Sequence, residues 1–368
     1  MSADSLLASL ATLEPLLSAH MPSGRRQCRL PDVIVQALVE RGLFRLWIPG
    51  RYAGFELSLP DALRVYEAVA ARDGALGWAV MIGAGGGLFA AYLGPDAAGR
   101  LFTPRAAVVA GSGAPTGTAE RVSGGYRATG RWRYASGAHY ATVFTANCRV
   151  FEAGAQVLVE GEPLIRAMSF APCDVEIIET WDTTGLRATG SHDIAVRDAF
   201  VAEIDSFSVF TDTPREPGAL YRLPFGTLTE LPVSAVALGI ARHALAEFES
   251  LASAKPAPHG GGRLIAQPRV SQAIGSARHA IETASSRLGA LAAASWATAA
   301  SSGPLDAVVI AACTTGSAAL VSQLLAGIGA LAPLAGMNAL HREDPFSIAW
   351  QDLAAVSAHY SVSPLAAD

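Results

Sequence analysis

Trp181-Asp-Thr-Thr-Gly-Leu-Arg-Ala-Thr-Gly-Ser-His-Asp193 is the stretch on which the reading of this chain turns. It lies between two short runs of β character, 175–180 before it and 193–201 after it. Further upstream, 106–111 is a short apolar run, and 120–129 holds the pair Gly124-Gly125 between two short runs, a hairpin signal. Residues 131–134, 141–150 and 167–171 continue the strands, and the β-rich segment ends near Asp205. Strands this short and closely spaced predict a compact barrel or sandwich. Helical spacing flanks the segment on both sides. On the N-terminal side it covers 5–19, 31–41 and 58–71, the last with Ser58 as N-cap and Pro60 in the first turn. On the C-terminal side it covers 233–254, 268–302, 305–330 and 345–361, with the breaker Lys255-Pro-Ala-Pro-His-Gly-Gly-Gly262 after the first. The expectation is an α+β chain of three domains: α-helical over 1–105, a β-barrel or sandwich over 106–215, and a four-helix bundle over 216–368.

Composition narrows the class. Of 368 residues, 51% are hydrophobic and 16% charged, enough for a large core and two or three domains. The formal net charge is -5, with no basic block, which argues against electrostatic nucleic-acid binding. Lys255 is the only lysine. Cys28, Cys148, Cys173 and Cys313 form no C-x-x-C and no metal spacing with histidine, and read as free thiols in a reducing compartment. The opening residues show no basic segment followed by an apolar core, so no secretory signal is read there. The apolar stretch 75–93 is broken by five glycines and reads as a buried helix rather than a membrane span. A soluble, cytoplasmic protein is expected.

The domain order and three segments resemble the acyl-CoA dehydrogenase superfamily. Residues 181–193 match its Trp-x-x-x-Gly-Leu-Arg-x-Thr-Gly-Ser-x-Asp loop almost position for position. Gly125-Tyr-Arg-Ala-Thr-Gly-Arg-Trp-Arg-Tyr-Ala-Ser-Gly137 resembles the hairpin that ends in a flavin-touching Ser-Gly, and Leu238-Gly-Ile-Ala-Arg-His-Ala-Leu245 the first bundle helix. Within the superfamily, the absence of a Tyr-Glu-Gly run near the C-terminus, the segment 110–118 and the last helix with its trailing histidine resemble the flavin-dependent, two-component (group D) monooxygenase branch. The resemblance implies a flavin-sized cleft, FMN or FAD received reduced from a separate reductase, a bulky apolar or aromatic substrate, and a homodimer or homotetramer. It implies that Ser136 and His359 are the catalytic pair. Ser136 would offer a hydrogen bond near the reacting edge of the ring, and His359 would handle a proton near neutral pH. It also implies cofactor contacts at Ser112, Thr116, Trp132, Tyr134, Gly137 and Trp181. Each residue keeps a plainer reading: Ser136 as a strand-end turn, His359 as a satisfied surface or interface histidine, Trp181 as core.

The branch pattern is broken in places. Its Arg-x-x-Arg-Asp is here Ile348, Gln351 and Asp352, and the histidine after Gly77-Trp78 is replaced by Gly85-Gly-Gly87. Three readings stand: a monooxygenase or oxidase using borrowed reduced flavin; an acyl-CoA dehydrogenase-type enzyme with its base in an unassigned place; and a flavin-free enzyme or scaffold on the same fold. The glycine-rich helix around 83–89 and the last two helices are expected to line the substrate pocket.

Overall fold

A computed structural model describes residues 1–258, 262–301 and 303–367; the breaker 255–262 therefore lies partly outside the described residues. Helices come first: α1 (Ala3–Ser9), α2 (Glu14–Gln27), α3 (Asp32–Glu40), α4 (Leu59–Ala70), α5 (Gly74–Gly85) and α6 (Pro95–Phe102). The Ser58 side chain accepts from the Asp61 N–H and so caps α4, with Pro in its first turn. Strands follow. They are β1 (Val109–Val122), β2 (Gly125–Ala135), β3 (Val143–Glu152), β4 (Ala155–Gln156), β5 (Leu158–Val159), β6 (Glu162–Pro163), β7 (Ile165–Phe170), β8 (Glu176–Ile178), β9 (His192–Ala202) and β10 (Ser206–Phe207). The chain then returns to helices: α7 (Ala219–Arg222), α8 (Thr227–Ala254), α9 (Pro268–Ala300), α10 (Ala307–Gly329), α11 (Ala332–Ala335) and α12 (Pro345–Ser357). The molecule is α+β.

The chain divides into two compact units. One comprises residues 1–57, 82–182 and 188–222; the other, 58–81, 183–187 and 223–368. In the first, eight strands form a mixed sheet in the order β10-β7-β3-β1-β2-β9-β8, with β4 beside β3, while β5 and β6 pair in a separate two-stranded sheet. β1 and β2 meet as an antiparallel hairpin closed by Ser123 and Gly124, where φ is +80°, a value glycine adopts without strain. β1 runs parallel to β3, and the other ladders are antiparallel. Among the described residues no ladder joins β8 to β10, so the path of strands stays open. Trp132, Phe144, Met168, Phe170, Ile194 and Val196 fill the core of this sheet. The glycines of 83–87 serve packing: added Cβ atoms would run into Phe44 at Gly83, Val109 at Gly86 and Ile48 at Gly87. The expectation that this helix lines a pocket is therefore corrected at those three positions; of the four glycines there, Gly85 alone faces open space.

In the second unit, α8 packs against α4, α9, α10 and α12, and α9 against α10. The α4–α8 crossing is close because Gly239 sits directly on the Glu67 carbonyl and Ala70. Three helical stretches, Gly74–Ala91, Thr227–Ala254 and Ala307–Leu340, are long and apolar enough to cross a membrane by composition; the first two bury most of their residues within the protein, the third fewer than half. Lys255 closes α8, and its ammonium donates to the Ala335 carbonyl (2.7 Å) and to Asn338 Oδ1 (2.8 Å) beyond α11. No disulfide joins the four cysteines; Cys148 and Cys313 are buried and Cys173 is exposed.

Candidate functional site

In the sheet unit, the two motif segments are neighbours, because β2 and β9 pair with Ala135 opposite His192. A register shift between Trp132 and Ala135 places Tyr134 at φ +65°, an unusual value for a bulky residue and a sign that the surrounding ladder dictates it. Gly137 follows at φ +81°, and its N–H donates to the Thr189 carbonyl (2.9 Å). A chain of buried hydroxyls runs beneath this turn: Ser136 Oγ to Ser191 Oγ at 2.7 Å and Ser191 Oγ to Thr189 Oγ1 at 2.6 Å. Ser136 is thus more than a strand end, since its hydroxyl heads a hydrogen-bonded row in which each bond polarises the next.

The loop after β8 is held by two adjacent residues of β9. His192 Nδ1 accepts from both the Thr180 and Trp181 N–H groups, each at 3.1 Å, so its proton is carried on Nε2. Asp193 accepts from Thr180 Oγ1 (3.0 Å) on one oxygen and from Arg131 (2.8 and 3.0 Å) on the other. Burial, and then the neighbouring His139, push His192 below its ordinary value. His139 stands edge-on to His192 at 5.0 Å and reaches Glu179 at 3.4 Å. Trp181, held this way, meets the exposed ring of Tyr134 edge-on at 6.2 Å.

Between β1 and β2 lies an open concavity of about 350 Å³ lined by Ser112, Ala114, Thr116, Arg131, Arg133 and Tyr134. Three of the residues expected to contact the cofactor are therefore gathered in one place. Trp132 is not with them. Its ring is wholly buried in the sheet core, its Nε1–H donates to the Asn147 carbonyl (2.8 Å), and Gly117 and Gly130 have no Cβ because the ring occupies that space. The expected flavin contact at Trp132 is corrected to a structural one: strand alternation sends its side chain inward while Arg131 and Arg133 are exposed.

In the helical unit, His359 sits just past the end of α12. Its ring stands edge-on to Trp78 (5.2 Å) and beside Tyr360 (4.6 Å), and its Nδ1 is 2.8 Å from Ser361 Oγ. Burial pulls His359 down to about 4, which corrects the expectation of titration near neutral pH. At pH 7 the imidazole is neutral, able to accept a hydrogen bond or a proton on one nitrogen and donate on the other. Gln351 Nε2 donates to Ser347 Oγ (2.9 Å) within α12. Glu230, on the first turn of α8, accepts from Thr314 Oγ1 (2.8 Å), and burial raises its pKa.

Residues 231–364 match the model of the family described as acyl-CoA dehydrogenase, C-terminal domain. Over nearly the whole chain, the sequence is 28% identical to an indole-3-acetate monooxygenase of Pseudomonas putida (362 residues; 96% of this chain, 91% of that protein). It is 25% identical to the flavin-dependent monooxygenase oxygenase subunit HsaA of Mycobacterium tuberculosis (98% and 93%). The chain resembles the flavin-dependent monooxygenase branch of the acyl-CoA dehydrogenase superfamily. The fold agrees: XiaF from Streptomyces sp., solved in complex with FADH2 and glycerol, superposes with a TM-score of 0.90 at 24% identity (98% of this chain, 92% of that one). The 3-HSA hydroxylase from Rhodococcus sp. RHA1 does so with 0.89 at 23% (98% and 94%).

Measured against the acyl-CoA dehydrogenase pattern, the structure gives a role to a residue that motif reading named without assigning it one. Asp352 is buried, and its Oδ1 accepts from the Leu186 N–H at 2.6 Å. Leu186 has φ +52°, and Gly185 lies so close to the Gln351 carbonyl that no side chain fits. Asp352 thus fastens the Gly185-Leu186 corner of the 181–193 loop to the last helix. Its position next to Gln351, where the branch pattern also keeps its aspartate, was the available signal.

Proposed function

We propose that this chain is the oxygenase component of a flavin-dependent monooxygenase that takes reduced FMN or FAD from a separate reductase and oxygenates a bulky apolar or aromatic small molecule. The observation that carries the proposal is the joining of both motif segments at Ser136, Ser191 and Thr189, beside a concavity whose hydroxyls, guanidinium groups and exposed tyrosine suit the polar edge and flat face of a flavin. The full-length similarity to an indole-3-acetate monooxygenase and to a protein named as a flavin-dependent monooxygenase oxygenase subunit supports it. Bound reduced flavin would supply two electrons, with which one atom of molecular oxygen enters the substrate and the other leaves as water.

The chain's own residues would do the rest. Ser112 and Thr116 would hold the polar side of the cofactor. Tyr134 and Trp181 would present aromatic surface to it, and Gly137 would let backbone come close. Ser136, polarised by Ser191 and Thr189, would donate a hydrogen bond to the oxygen-bearing edge. His359, neutral at pH 7, would accept the proton of a substrate O–H or N–H and return it as the product forms.

The three sequence segments 1–105, 106–215 and 216–368 would act as the helical, barrel-like and bundle domains of the superfamily. We place the protein in the cytoplasm, in keeping with its unbridged thiols. Homodimers or homotetramers would form through the exposed small apolar residues of α9 and α10, such as Ala293, Ala297, Ala319 and Ala326. The acyl-CoA dehydrogenase alternative would require a carboxylate base, and Glu230 is the buried carboxyl of the helical unit that burial holds closest to such a role.

Anaerobic titration tests the proposal. Reduced FMN or FAD should bind, and admitting oxygen with indole-3-acetate or another indole should yield a hydroxylated product, with Ser136→Ala and His359→Ala lowering the yield at least tenfold. Bleaching of bound oxidised flavin by an acyl-CoA would move the assignment to dehydrogenation, and no binding of either flavin would leave a flavin-free protein.

A further inference from the structure

We propose that Arg133 binds the ribityl phosphate of the flavin, making the concavity between β1 and β2 a phosphate site built from one chain. This rests on the flavin reading above and names a contact within it. The lining of the concavity carries two guanidinium groups and no carboxylate. The two arginines differ in what they already do. Arg131 donates twice to Asp193, which in turn holds Thr180, so its charge is matched and its place is fixed. Arg133 forms no ion pair among the described residues and is exposed, with its guanidinium 5.9 Å from the centre of the Tyr134 ring. A cation so placed, beside an exposed aromatic ring and two hydroxyls, is matched by a ligand with an anionic group at one end and a flat ring at the other.

The backbone is arranged to the same end. The β1–β3 ladder breaks between Ser112 and Gly117, which takes residues 113–116 out of register, and Asn147 Nδ2 fixes the excursion by donating to the Gly113 carbonyl (2.8 Å). Thr116 Oγ1 donates to the Arg131 carbonyl (2.8 Å), tying this excursion to β2. Opposite it, the irregularity at Tyr134 brings that side chain to the same concavity as Arg131 and Arg133, although strict alternation would send neighbouring residues to opposite faces. Two departures from regular pairing, one on each strand, therefore meet at Arg133. A phosphomonoester carries nearly two negative charges at pH 7, and arginine can grip it with two parallel N–H bonds.

Riboflavin, FMN and FAD separate the ring from the phosphate. Binding of each, reduced and oxidised, would be followed by flavin absorbance and fluorescence for the wild type, Arg133→Gln and Arg133→Lys. Wild type should bind FMN about tenfold more tightly than riboflavin at low ionic strength, with the gap narrowing as salt is raised. Arg133→Gln should bring FMN down to the riboflavin affinity while leaving riboflavin itself unchanged, which also shows that the variant is folded. Arg133→Lys should keep most of the gap, since a point charge remains. An equal FMN preference in wild type and Arg133→Gln, or no preference in the wild type, overturns the phosphate assignment and leaves the flavin reading standing. Failure of the wild type to bind any of the three removes both.

Discussion

At the scale of single residues, Asp352 and Arg133 do opposite things with charge. Asp352 turns its carboxylate inward, to the Leu186 N–H and the tight corner at Gly185. Replacing it by alanine leaves a buried N–H without its acceptor, and loss of such a charge-assisted bond costs about 1.5–3 kcal/mol. Asp352→Ala should therefore lower the thermal midpoint by several degrees and loosen the 183–187 segment to hydrogen exchange; an unchanged midpoint would mean that water or another acceptor replaces the bond. The nearly isosteric Asp352→Asn keeps an acceptor and should recover part of the loss. The branch pattern marked Asp352 and the loop motif marked Leu186, but their pairing was not readable from the chain, because the two lie 166 positions apart. His359 was legible as a candidate and illegible in its charge. Its place after the last helix is a matter of sequence, whereas the burial against Trp78 that keeps it neutral is a matter of packing.

At the scale of elements, the sequence spoke clearly wherever local chemistry decides. Ser58 and Pro60 marked the start of α4, and the glycine pair marked the β1–β2 turn. The long helices stand close to where their periodicity put them, although α8 begins at Thr227, earlier than 233, because Pro232 is tolerated inside it. What local chemistry leaves open is which way a side chain faces once a strand departs from regular pairing. Trp132 and Tyr134 share a parity, yet one is wholly buried and the other exposed, because the ladder slips between them. The α4–α8 crossing offers a test at this scale. A side chain at Gly239 would press on the Glu67 carbonyl and Ala70, so Gly239→Val should cost about 1–3 kcal/mol as overpacking. Urea unfolding measures it, and a midpoint equal to the wild type would show that the two helices can part without penalty.

At the scale of the whole molecule, buried titratable groups tie stability to pH. His359 falls to about 4 on folding from an ordinary value of about 6.5. The unfolded chain therefore takes up that proton first as pH falls, so the contribution of His359 is complete above about 6.5 and drains away between 6.5 and 4. His192 is shifted in the same direction and has the same sign. Glu230 is raised, so its contribution is complete below its ordinary value and is lost as pH rises through the folded one. Urea midpoints measured from about pH 4 to about pH 8 should fall on the acid side, and His359→Gln should flatten that fall; identical acid limbs in the two proteins would refute the assignment. The single lysine gives a way to watch the helical unit during such experiments. Reductive methylation with a carbon-13 label would mark the amino terminus and Lys255 only. Because that ammonium is shared between Ala335 and Asn338, its one resonance would report, without crowding from other lysines, whether the end of α8 and the turn after α11 stay joined when ligand binds or pH changes.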